Sequence, residues 1–145
     1  MSFTGPAEDR LALRELLETY ADAVTRCDAQ AWGATWAQDA EWSLPDYPEI
    51  GTTTGRPAIV AMWVEAMKHY PGIMFEAWPG SIAVDGARAV MRSSASGAVR
   101  RRRLASSRAG IAPGQSSWAT SSTAFATPSG GTAPSGQNKI GRAHV

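Results

Sequence analysis

The order of elements predicts an α+β fold, with early helices laid on one face of a curved antiparallel sheet. Three observations carry this expectation. Apolar residues recur at helical three-and-four spacing between Leu13 and Tyr70. Short β-prone runs then follow between Ile73 and Ser93. An Asp-Gly pair in the stretch VDGA supplies a hairpin turn between the last two runs.

In AEDRLALRELLETYADAVTRCD, the residues Leu13, Leu16, Leu17, Tyr20, Val24 and Cys27 form one stripe of an amphipathic helix. Glu8, Asp9, Arg10, Arg14 and Glu18 fall mostly elsewhere. Acids in the first turn suit the positive end of the helix dipole, and Thr4 or Ser2 is the expected cap. Asp28 is placed to cap a second short helix, AQAWGATWAQ, in which Trp32 and Trp36 would stand one turn apart. AEWSL predicts a strand, and PDYPEIGTTTG a loop by its Pro, Gly and Asp content. Pro57 suits the first turn of a third helix, whose stripe is Ile59, Trp63, Ala66, Met67 and Tyr70. Pro71 and Gly72 stop it, and IMFEAW, SIAV and ARAVMRS predict strands.

The 145 residues suffice for one domain with one core. A single cysteine, Cys27, excludes a disulfide framework and a multi-cysteine metal site. No signal-like segment starts the chain and no apolar run approaches the ~20 residues of a membrane span, so a soluble cytoplasmic protein is expected. The net charge of +1 hides a split. All 13 acids lie at or before Asp85, where they meet only five basic residues and leave −8; beyond Gly86 nine basic residues and no acid leave +9. Such asymmetry ordinarily suggests a basic nucleic-acid-binding tail. The run Arg100 to Arg103, however, has no interleaved aromatics and no recognition motif, and nucleic acid is not expected as a partner.

The stretches LRELLETYADAVTRCDAQAWGATWAQDAEWSLP, GRPAIVAMWVEAM and SIAVDGARAV resemble, in order and spacing, the SnoaL-like branch of the nuclear transport factor 2-like superfamily over about residues 8–95. That resemblance implies a cone-like, strongly bent sheet wrapped around three helices, with a pocket at the open end. The family includes ketosteroid isomerases, polyketide cyclases, scytalone-type dehydratases and limonene-epoxide-type hydrolases, besides many members of no known activity. The fold alone therefore says little about the reaction.

Family members would continue with three long strands, ending in a pattern such as Gly-x-Tyr-x-Asp-x-Phe-x-Arg and then Gly-Trp-Arg. Here GAVRRRRLASSRAGIAPGQSSWATSSTAFATPSGGTAPSGQN has no alternation, no acid and little apolar content. From Gln115 through Ala126, a shifted reading of the codons permits an apolar run followed by Gly-His-Phe-Val-Asp-Arg-Phe-Arg, close to the expected strand. The last seven residues, Lys139 to Val145, match AAG ATC GGA AGA GCA CAC GTC TGA, which from its second base is the start of a common sequencing-library adapter. The expected organisation is an incomplete SnoaL-like domain at 1–97, truncated after the first strands, and an out-of-frame or disordered segment at 98–145. A genuine disordered basic tail is the alternative its composition allows. Without the missing strands, the helices' apolar faces and a sheet edge would be exposed, so the chain is expected to be unstable or aggregating, and disordered or ill-packed after about residue 97.

The resemblance also directs attention to a general acid or base inside the cone, commonly used without metal or cofactor. Burial would raise a carboxylate's pKa and let it take a proton near neutrality, for isomerisation, water loss or ring closure beside a carbonyl. Tyr20 matches the Tyr of dehydratase-like relatives and could polarise a carbonyl, though it reads equally as a core tyrosine. The Asp that follows that Tyr by five positions in those relatives is Thr25 here, which is no base near neutral pH. Asp22 is a nearby alternative on another helix face, and Asp28 is first a helix cap. Trp78, in AWPGSIAVDG, stands where relatives with HPG have a His. His69 at the end of the third helix and Asp39 and Glu41 around the first strand read as solvated or turn residues. Glu76 is a base candidate if its strand turns it inward.

The catalytic candidates are thus Tyr20, Glu76 and Asp22, with Trp32, Trp36, Trp63 and Trp78 as core and pocket wall, joined by Trp42. They suit a flat apolar ligand. GTTTG at 51–55 lacks the Gly-Lys-Ser/Thr ending of a phosphate loop. No cofactor, metal or membrane partner is expected, and the intact protein could form a homodimer. Two functions stay open: a cofactor-independent isomerase, dehydratase or cyclase acting on an apolar carbonyl compound, or a non-catalytic ligand-binding or dimerisation module. The frame itself is testable. Long-read resequencing of codons 90–145 is expected to find one insertion or deletion between Arg92 and Gly114 that restores a strand-like ending, whereas an unchanged frame would make the basic tail real.

Overall fold

The computed structural model describes residues 3–44, 47–99, 121–126 and 140–144, the last two segments as backbone. The stripe of the first helix becomes α1 (Ala7–Thr25), which buries Leu13, Leu17, Ala21, Ala23 and Val24. Leu16 and Tyr20 pack partly buried against the same core. Neither expected cap is used. Thr4 belongs to a two-residue strand, β1 (Phe3–Thr4), Ser2 lies outside the described residues, and the helix starts after Pro6 with no side-chain cap. Pro6 has the fixed φ that favours a helix start, and its carbonyl accepts from the Arg10 N–H at 3.2 Å. Cys27 leaves the expected stripe, because α1 ends at Thr25 and Cys27 turns the chain in the left-handed region at φ 53°, exposed.

Asp28 does cap α2 (Ala29–Ala34): its Oδ1 accepts from the Ala31 N–H at 2.9 Å. The helix is shorter than its sequence suggests. The Thr35 hydroxyl donates to the Trp32 carbonyl at 2.7 Å, closing the last turn, and Trp36 opens β2 (Trp36–Ser43) instead of extending the helix. The expected loop contains a short strand, β3 (Thr52–Thr54), antiparallel to β2 with Trp42 opposite Thr53. Pro57 falls in the first turn of α3 (Arg56–Met67), as its fixed φ favours. This helix buries Ile59 and Trp63, while Ala66 is exposed.

IMFEAW and SIAV are one long strand, β4 (Ile73–Asp85), irregular between Pro79 and Ser81, where proline cannot donate to the ladder. Its antiparallel partner is β5 (Arg88–Val99), and Gly86–Ala87 form the two-residue turn between Asp85 and Arg88. Gly86 takes a positive φ of 56°, which glycine adopts without steric cost. Two more strands, β6 (Ser121–Ala126) and β7 (Ile140–His144), lie in the segment beyond 97, where the sequence carries no alternation. The run Arg100 to Arg103 lies outside the described residues.

The strands form a four-stranded sheet, β1-β4-β5-β6, and a three-stranded one, β3-β2-β7. The expected antiparallel pairing holds except for two parallel contacts, β1 with β4 and β2 with β7. Gly5 explains how β1 reaches β4. It has φ +93°, and a Cβ there would meet the Val84 carbonyl oxygen at 2.6 Å.

Helix α1 lies on β4, and α3 lies on β2 and α2. One side-chain contact pins the first of these junctions. The Thr25 hydroxyl accepts from the Phe75 N–H at 2.9 Å and donates to the Phe75 carbonyl at 3.1 Å. It satisfies both backbone groups of a β4 residue that sits opposite Gly97. Thr25 thus ties the end of the helix to the sheet, a structural role at the position where the resemblance led to an expected Asp.

Candidate functional site

The interior is built around aromatic rings delivered by four elements. Helix α1 supplies Tyr20, α2 supplies Trp32, β2 supplies Trp36 and Trp42, and α3 supplies Trp63. Trp32 and Trp36 are fully buried, and Trp42 and Trp63 nearly so. Trp32 stacks on Trp63 with centroids 4.6 Å apart and planes 14° apart. It also lies 5.3 Å from Trp36, 5.7 Å from Trp42 and 5.6 Å from Tyr20. Phe75 of β4 closes the group at 6.1 Å from Tyr20.

The Trp36–Trp42 distance reports the curvature of the sheet. Six residues of straight strand would span ~20 Å, yet the two ring centroids are 5.9 Å apart. The strand bends where Gln38 and Asp39 turn outward, between buried Ala37 and buried Ala40, and its register with β7 shifts over the same stretch. A local irregularity of this kind swings both indoles toward one another.

Polar atoms in this interior are donors. The Nε1–H groups of Trp32, Trp36 and Trp42 are buried, and none has a hydrogen-bond acceptor among the described residues. Buried polar groups are ordinarily paired, and each unpaired one costs about 1–3 kcal/mol. The Tyr20 ring lies beside Trp32 and Trp36. The residue as a whole is half-buried, but its hydroxyl is at the covered end. Burial pushes the phenol up to about 12, because the phenolate would be desolvated, while the adjacent Trp32 N–H pulls weakly the other way. That N–H lies near the phenol oxygen without reaching hydrogen-bond geometry. At the rim, the Arg56 Nε donates to the Trp36 carbonyl at 2.8 Å, and its Nη2 is buried without an acceptor.

The structure brings Tyr20, Trp32, Trp36 and Trp63 together and separates the remaining candidates from them. Glu76 is exposed, because the burial of β4 alternates with Ile73, Phe75 and Ala77 turned inward. The condition attached to it, an inward side chain, is not met. Trp78 shares its face and is 49% exposed, so it forms no wall of the interior. Asp22 is on the outer side of α1, its Oδ2 paired with the Arg26 Nε at 2.8 Å. Asp28 accepts from the Arg26 Nη1 at 2.7 Å, and its carboxyl is held below the usual range first by the Ala31 N–H and then by Arg26. His69 and Asp39 are exposed, and Glu41 is half-buried on the face of β2 away from Ala40 and Trp42. No described carboxylate is buried. Among the described residues no group of three or more His, Cys, Asp or Glu could hold a metal ion, and no helix is long and apolar enough to cross a membrane.

Sequence reasoning passed over Phe75 and Arg56. The alternation of IMFEAW could have found Phe75, but either face of that strand offers apolar residues, Ile73 and Phe75 on one and Met74 and Trp78 on the other. Arg56 left no signal beyond its place before Pro57.

With fold and interior described, the family follows. The SnoaL-like domain profile matches residues 6–125, and the chain belongs to that family. The match runs past the 8–95 stretch that carries the resemblance. Among solved structures, an NTF2-like protein with a cystatin-like fold from Novosphingobium aromaticivorans superposes with a TM-score of 0.65 at 23% identity, covering 94% of this chain and 80% of that one. A candidate polyketide cyclase from Sinorhizobium meliloti gives a TM-score of 0.53 at 25% identity, over 92% and 95% of the two chains. A Catenulispora acidiphila protein with a ketosteroid isomerase-like fold, solved with trimethylamine, gives 0.52 at 15% identity, over 90% and 82%. These likenesses establish the α+β cystatin-like architecture. The curated proteins include no significant match.

The raised Tyr20 pKa has a measurable consequence. Its folded value lies above the ordinary 10.0, so the stability gained from a buried neutral phenol is complete below pH 10 and is lost as pH rises toward 12. Phenolate absorbance should show a late ionisation near 12 that Tyr20→Phe removes. The same variant should lack the alkaline loss of about 2–3 kcal/mol over that window. Identical titrations for the two proteins would contradict the buried placement of the hydroxyl.

Proposed function

We propose that this domain binds a small, flat, largely apolar molecule in its aromatic interior, and that Tyr20 donates a hydrogen bond to an oxygen of the ligand. The observation that carries the reading is the buried Tyr20 hydroxyl set among Trp32, Trp36 and Phe75. Apolar walls with a few polar groups are the usual make-up of a small-molecule site. At neutral pH the phenol is fully protonated and can donate but cannot act as a base.

Ligand binding without turnover is the reading we favour. Glu76 and Asp22 are both on outer faces, and Thr25 is occupied in holding β4. An isomerase, dehydratase or cyclase is the second reading. It is supported by Tyr20, which could stabilise an enolate oxygen, and by the likeness to a candidate polyketide cyclase. It requires a base outside the described residues. The exposed apolar residues Met74, Trp78 and Val90 on the outer face of β4 and β5 are the surface we assign to a second copy in a homodimer.

Titration calorimetry with 2-acetylnaphthalene tests the reading. One molecule per chain is expected to bind, and Tyr20→Phe should weaken it about two- to tenfold, the value of one neutral hydrogen bond. Recovery of unchanged ketone supports binding alone, and a rearranged or dehydrated product from a carbonyl panel supports the second reading. Absence of binding across that panel would overturn both.

A further inference from the structure

The outer face of β4 and β5 carries charge as well as apolar surface, and the register fixes where each lies. Trp78 and the residue opposite it, Ser94, stand at its centre. Glu76 lies two residues along β4 to one side, and Arg92 two residues along β5 to the other. Met74 stands beyond Glu76, and Val90 beyond Arg92. Alternation turns these side chains away from the core, which takes Phe75, Ala77 and Met91 instead. Along the strands the face therefore reads apolar, negative, aromatic, positive, apolar. Turned end over end, it keeps its apolar positions and exchanges its two charges. A patch that must match itself across a two-fold axis needs this property.

The side chains on this face are available to a partner. Met74, Trp78 and Val90 are 57%, 49% and 58% exposed, and large apolar groups gathered on one face mark an interface. Glu76 and Arg92 are exposed too, and the ion pairs formed among the described residues involve neither. Two sheets stack face to face about 10 Å apart, and the charges distinguish two ways of doing so. With the axis along the strands, each charge would face a serine, Glu76 meeting Ser96 of the partner subunit and Arg92 meeting Ser81 of the partner subunit. With the axis across the strands, the two copies run antiparallel and opposite charges come together twice. Matched charges at an interface fix its register.

We propose that a second copy of this chain packs on this face with its strands antiparallel, about a two-fold axis crossing the strands at Trp78, so that Glu76 of each copy meets Arg92 of the other. This deepens the homodimer assignment above and rests on it.

The test is sedimentation velocity on the full chain at pH 7 and low salt, with circular dichroism to establish folding. The unchanged chain is expected to dimerise. Glu76→Arg and Arg92→Glu should each weaken the dimer at least about tenfold, because each sets like charges together at both contacts. An equimolar mixture of the two variants should restore it, since opposite charges then meet again, and so should the double variant. A mixture that stays monomeric, or a dimer indifferent to both substitutions, would overturn the antiparallel arrangement. In that case Trp78→Ser separates the two claims: loss of the dimer in this variant keeps the face, and no loss removes it. Should a charge-reversed variant fail to fold, Glu76→Gln and Arg92→Gln replace it, each expected to weaken the dimer about two- to fivefold, and no weakening in either overturns the proposal. A chain that is monomeric at every concentration removes the homodimer assignment and this proposal together.

Discussion

Trp32 is the contact on which the other parts converge. It sits on a six-residue helix that could not persist alone, since short helices are marginal in water. What fixes that helix is the stack of Trp32 on Trp63 of α3, together with its edge contacts to Trp36 and Trp42 of β2 and to Tyr20 of α1. Three helices and one strand thus share a single ring. Truncating a fully buried tryptophan costs about 3–5 kcal/mol, a large part of the margin of a domain this size. The bend in β2 follows from the same constraint, because Trp36 and Trp42 reach Trp32 together only if the strand between them is not straight.

A core of indoles differs from a core of leucines in one chemical respect. Each ring brings an N–H that must find an acceptor or be left unsatisfied. Here the cluster orders the fold and also leaves three buried N–H groups without an acceptor among the described residues. Carboxylates are kept away from it. The alternation of β4 sends Glu76 and Trp78 outward and Phe75 and Ala77 inward, and the Arg26 pairs hold Asp22 and Asp28 at the outer end of α1. No described side chain inside the interior is poised to take a proton near neutral pH.

Much of this was legible in the sequence where one pattern had one solution. The stripe from Leu13 to Val24 could only be a helix face, Asp28 before Ala29 could serve as a cap, and VDGA held the turn between two strands, though the turn residues are Gly86 and Ala87 rather than Asp85 and Gly86. Where a pattern fitted two structures, local hydrogen bonds decided. Trp32 and Trp36 are four apart, which suits one helical turn, but the Thr35 hydroxyl ends the helix and gives Trp36 to a strand. The face of β4 was ambiguous because apolar residues stand on both sides of it, and only packing beneath α1 selected Phe75 over Trp78. The unpartnered donors were not legible at all, since they depend on what tertiary structure leaves out of reach. Beyond Val99 no periodicity indicates the strands β6 and β7, whose places are set by pairing with β5 and β2.

The central claim is that the tryptophan cluster is buried, its N–H groups included, and indole hydrogen exchange followed by NMR on nitrogen-labelled protein reads it directly. The account predicts slow exchange for the Nε1–H of Trp32, Trp36 and Trp42 and fast exchange for that of exposed Trp78. Uniformly fast exchange at all four would contradict it, because no buried cluster would then exist to hold the helices to the sheet or to receive a ligand.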